Sequence, residues 1–60
     1  MRTTRINNSS TIARYRVEFD SFTERDMKPD VLADFLEPNN YGARWAAIGD
    51  NHALLEVYID

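Results

Sequence analysis

The chain has 60 residues, with ten Asp and Glu against seven Lys and Arg for a net charge of −3, and it contains no cysteine. A chain of this length makes one small domain whose core alone supplies roughly 3–5 kcal/mol, and without cysteine it has neither disulfides nor a thiolate metal cage to reinforce it. Most enzyme architectures are excluded by size, no apolar run approaches the ~18 residues of a membrane span, and the first residues lack the apolar stretch of a secretory leader, so a soluble cytoplasmic protein supported by a partner or a second copy is expected.

Charge is unevenly distributed from the start of the chain. Residues 1–16 carry Arg2, Arg5, Arg14 and Arg16 and no acid, whereas residues 17–60 carry three bases and all ten acids. The polar run Asn7-Asn8-Ser9-Ser10 reads as the boundary between a flexible basic N-terminal arm, residues 1–10, and a single folded domain, residues 11–60. Such an arm suits phosphate, an acidic partner or the body of a neighbouring copy.

From Thr11 to Phe22 the sequence alternates, with Ala13, Tyr15, Val17 and Phe19 on one side and Arg14, Arg16, Glu18 and Asp20 on the other. Period two is the signature of a half-buried strand, and Tyr, Val and Phe favour that state. The outer row runs plus, plus, minus, minus, so an antiparallel copy of this strand would meet no like charge. Pairing through it across a dimer is therefore allowed.

A polar break, Ser21 to Lys28, leads to a short helix over residues 29–37. Pro29 suits the first helical position, Asp30 complements the positive helix end, and Pro38 stops the helix. Val31, Leu32, Phe35 and Leu36 form an apolar stripe expected to face a sheet, and Asp30, Asp34 and Glu37 form an acidic ridge on the other side. After a turn at residues 38–42, Ala43–Gly49 and Ala53–Ile59 read as two strands joined by a hairpin connection through Asp50, Asn51 and His52.

The order β-α-β-β predicts an α+β domain, a three-stranded sheet covered on one face by one short helix. Tyr15, Val17, Phe19, Trp45, Ala47, Leu55, Val57 and Ile59 take the covered face. Arg14, Arg16, Glu18, Ala46, Ile48, Leu54, Glu56 and Tyr58 take the open one, whose apolar centre suggests a contact surface. A one-residue slip in the strand at 43–49 would instead expose Trp45 and bury Ile48.

Little in the chain points to catalysis. His52 is the single histidine, on a turn beside Asp50, without the second acid–base group or the further ligands that catalysis or a metal would need, so no catalytic, cofactor or metal residue is assigned. Gly42 and Gly49 lie in separate turns and form no phosphate loop. Nucleic-acid binding would draw on Arg2, Arg5, Arg14 and Arg16, but Tyr15 falls on the opposite sheet face from its arginine neighbours and the total charge is negative.

Trp45 reads as the main core plug, and Tyr41, in a loop, as exposed. The expected function is a small non-enzymatic protein-binding module that inhibits or modulates a larger protein by covering its surface. Size alone suits accessory proteins of phages and mobile elements, of host-takeover or anti-defence type. The expected partner-binding residues are Arg14, Arg16, Ile48, Leu54 and Tyr58, with Tyr41 and the ridge Asp30, Asp34 and Glu37 as a second patch. The alternative is a nucleic-acid-binding or regulatory dimer that uses the arginine-rich arm.

Overall fold

In the computed structural model, which describes residues 1–60, a strand stands where the sequence reads as a loose arm. The elements are β1 (Arg2–Arg5), β2 (Ile12–Glu18), α1 (Phe22–Arg25), α2 (Pro29–Leu36), β3 (Gly42–Ile48) and β4 (His52–Tyr58). The architecture is α+β as expected, but the antiparallel sheet has four strands, in the order β1-β2-β4-β3, and there are two helices.

β1 exists because the polar run after it is a built turn. The Asn7 side chain donates to Ile12 O at 2.8 Å and accepts the Arg14 N–H at 2.8 Å, while Ser9 Oγ accepts the N–H groups of Thr11 and Ile12 at 3.2 Å each. These bonds return the chain so that Thr3 and Thr4, β-branched and suited to strands, pair with Val17 and Arg16. β2 is consequently internal, flanked by β1 and β4, and cannot pair with a second copy as its charge pattern allowed.

The covered face follows the alternation of β2 and β4. Ala13, Tyr15, Val17, Phe19, Ala53, Leu55 and Val57 are buried, with Leu32 and Ala33 packed over them from α2. Trp45 closes one side, edge-on to Phe19 at 5.8 Å, and its indole N–H donates to Met27 O at 3.1 Å. The apolar stripe of α2 is rotated from expectation: Leu32, Ala33 and Leu36 meet the core, while Val31 and Phe35 are exposed, Phe35 at 84%. The small Ala33 allows the helix to approach the sheet closely, and that contact turns Phe35 outward.

β3 contains a bulge. Trp45 lies opposite Leu55, but Ala47 lies opposite Leu54 and Ile48 opposite Ala53, so Ala46 is an extra residue. The expected side holds at Trp45, and the slipped reading, with Trp45 exposed and Ile48 buried, does not hold. Trp45 stays on the covered side, whereas Ala47, expected there, moves to the open side with Leu54, and Ile48 stands opposite Ala53, out of the open-face row where it was expected, and is 51% exposed.

Candidate functional site

The open face is laid out by strand register, because residues directly opposite on antiparallel neighbours share a side. Across β2, β4 and β3 the successive rows are Ile12–Tyr58–Gly42, Arg14–Glu56–Arg44 and Arg16–Leu54–Ala47. β1 adds Thr4 beside Arg16 and Arg2 beside Glu18.

The middle row is an ion-paired triad. Arg14 Nε–H donates to Glu56 Oε2 at 2.9 Å and Arg44 Nε–H donates to Oε1 at 2.8 Å. Glu56 is only 8% exposed although no helix covers it, because the arginine stems lie beside it. The hydrogen bonds from Arg14 and then Arg44 hold its carboxyl below the ordinary carboxylate range, against the opposing effect of desolvation. One carboxylate thus orients two guanidinium groups and leaves the triad with a net positive charge.

Beside the triad, Arg16 Nε approaches Glu18 at 3.4 Å and remains exposed. Ile6, Arg16, Ala47, His52 and Leu54 border a shallow depression of about 390 Å³. The face therefore carries Arg2, Arg14, Arg16 and Arg44 against Glu18 and Glu56, a positive side on a chain of net charge −3.

Of the residues singled out from sequence, Arg14, Arg16, Leu54 and Tyr58 come together here. Ile48 reaches the rim of the depression but is displaced from their row by the bulge. Tyr41 is 78% exposed in the turn before β3, outside these rows. Asp30, Asp34 and Glu37 belong to the helical side and form no free ridge: Asp34 accepts a hydrogen bond from Asn40 at 2.8 Å, and Glu37 accepts one from the Tyr15 hydroxyl. His52 Nδ1 pairs with Asn51 Oδ1 at 3.1 Å rather than with Asp50.

Arg2 was expected in a flexible arm and not on this face, and the pairing of Glu56 with both Arg14 and Arg44 was not legible in the sequence. Carried straight back from Ile48 opposite Ala53, the hairpin would set Arg44 against Val57, and only the extra residue at Ala46 places it opposite Glu56. The charges themselves were the available signal.

No group of three or more His, Cys, Asp or Glu side chains is arranged to hold a metal ion, and no helix is long and apolar enough to cross a membrane. No protein-family model matches the chain, and no curated protein or solved structure shows significant similarity to it.

Proposed function

We propose that this chain is a non-enzymatic binding module whose open sheet face covers an acidic surface of a larger protein, inhibiting or modulating it by occlusion. The observation that carries this reading is the Arg14–Glu56–Arg44 triad lying between Tyr58 and Leu54. Guanidinium groups already held by a shared carboxylate lose less freedom on binding, and Arg and Tyr are residue types that concentrate binding energy at interfaces. An ordinary interface covers about 800 Å² per partner. That is roughly a fifth of this chain's 4073 Å².

Nucleic-acid binding is the second reading, favoured by four arginines on one face with Tyr58 among them. It would not use a flexible arm. Arg2 is part of the sheet, and Arg5 bonds Asn7 O at 3.1 Å and Ser9 O at 2.7 Å.

The test is affinity capture with the native protein and with the variants Arg16→Glu and Tyr58→Glu, alongside titration of a fluorescent oligonucleotide at low salt. The protein-binding reading expects a stoichiometric protein partner, lost in both variants while their circular dichroism is unchanged, and no oligonucleotide shift. A shift that weakens steeply with salt and vanishes in Arg16→Glu would give the second reading precedence. Capture unaffected by either variant would remove the open face from both.

A further inference from the structure

We infer that the free edge of β1, with the apolar groove beside it, docks an extended acidic segment of another protein as an added strand of the sheet. β1 is bonded on one side only, to β2. Ile6 N–H donates to Arg14 O at 2.9 Å, and antiparallel residues aim their backbone groups alternately to the two sides, so Thr3 and Arg5 direct their N–H and C=O groups out of the sheet. The other edge, β3, is interrupted by the bulge at Ala46, whereas β1 has neither bulge nor proline.

Charge selects the occupant. The Met1 ammonium is held by Asp20 and Glu24, and Arg14, Arg16 and Arg44 each pair with a glutamate, but the guanidinium groups of Arg2 and Arg5 pair with no carboxylate of the chain. Both arginines are exposed, and strand alternation puts them on different sides: Arg2, opposite Glu18, on the open side and Arg5, opposite Tyr15, on the helical side. A second copy of β1 would add arginines to arginines, whereas a strand that carries acids supplies the missing counter-charges. Phosphates of a nucleic acid would meet the arginines too, but the outward C=O groups of Thr3 and Arg5 repel phosphate oxygens and need N–H donors, which a peptide backbone supplies at strand spacing.

The groove fixes the rest of the pattern. It measures about 370 Å³ between β1 and α2, with Met1, Thr3, Met27, Val31 and Phe35 in its lining, and Val31 and Phe35 are 59% and 84% exposed. Antiparallel pairing, used throughout this sheet, is the more stable per residue. An occupant laid antiparallel against Arg5, Thr4, Thr3, Arg2 and Met1 therefore reads acid, any residue, apolar, acid, apolar. Its acids meet Arg5 and Arg2, and its apolar residues lie beside Thr3 and Met1 over the groove. In strand addition the main-chain bonds give affinity and the alternate side chains give specificity. This site goes beyond the open-face reading and uses none of Arg14, Arg16, Leu54 or Tyr58.

The experiment is fluorescence anisotropy of a fluorescein-labelled, C-terminally amidated peptide Glu-Thr-Val-Glu-Val, titrated with the native chain and with the variants Phe35→Glu and Tyr58→Ala. Saturable binding with a Kd below about 1 mM is expected, and the Thr3 and Arg5 amides should exchange more slowly when the peptide is present. Replacing both glutamates of the peptide by lysine, or N-methylating its central valine, whose N–H is positioned to bond Thr3 O, should each weaken binding at least about tenfold. These peptide changes leave the protein untouched. Phe35 is exposed, so Phe35→Glu keeps the fold, as circular dichroism checks, and should weaken binding at least about fivefold. Tyr58→Ala should leave it unchanged. No anisotropy change at about 1 mM protein, equal binding of the lysine or N-methylated peptide, or displacement of the peptide by a single-stranded oligonucleotide overturns the inference. So does binding that survives Phe35→Glu intact or is lost in Tyr58→Ala. The open-face reading is decided by Arg16→Glu and Tyr58→Glu in partner capture, so the two can fail separately.

Discussion

Tyr15 ties the sheet to the helix with a single side chain. It is buried on β2, and its hydroxyl donates to the Glu37 carboxylate at the end of α2. Burial, and then the bond to Glu37, push the hydroxyl up to about 12 from an ordinary 10. A group raised in the folded state favours its protonated form there, so its contribution is intact below about pH 10 and is lost progressively as the pH climbs toward 12. Urea midpoints measured across that window should fall with pH. Tyr15→Phe should cost about 1.5 kcal/mol at neutral pH, as expected for a hydrogen bond to a charged group, and should flatten the alkaline decline. Helical spacing alone placed Glu37 in a solvated ridge. Its actual partner lies 22 residues earlier in the chain, a separation that periodicity cannot register.

Among the elements, legibility followed the strength of the alternation. β2 and β4 present seven-residue runs with clear apolar rows and fall within the stretches that alternate, as does the helix bounded by Pro29 and Pro38, although the first strand ends at Glu18 and Phe22, read as the end of its alternation, begins α1. β1 has no apolar row in Arg2-Thr3-Thr4-Arg5, and its place in the sheet depends on the Asn7 and Ser9 bonds, which sequence composition presents only as a polar run. The start of β3 offers a sharper case. Gly42 has φ +139°, and a Cβ built there would meet no atom within 4 Å. Gly42→Ala should therefore destabilise through backbone strain alone, by about 1–2 kcal/mol in a urea titration, and a larger side chain should add little to that cost. A much greater loss for Gly42→Met than for Gly42→Ala would show that space, and not φ, limits the position.

For the whole molecule, charge divides across the sheet. The open side holds four of the seven basic residues and only two of the ten acids, so most of the negative charge falls on the helical side and the connecting turns. Binding through the open face gains from charge attraction, which mobile ions screen over about 10 Å at 0.1 M and about 3 Å at 1 M. Raising sodium chloride from about 0.05 M to about 0.5 M should reduce capture of an open-face partner at least about tenfold. Capture indifferent to salt would instead show that apolar contact at Leu54 and Tyr58, and not the positive surplus of the Arg14–Glu56–Arg44 row, carries the binding.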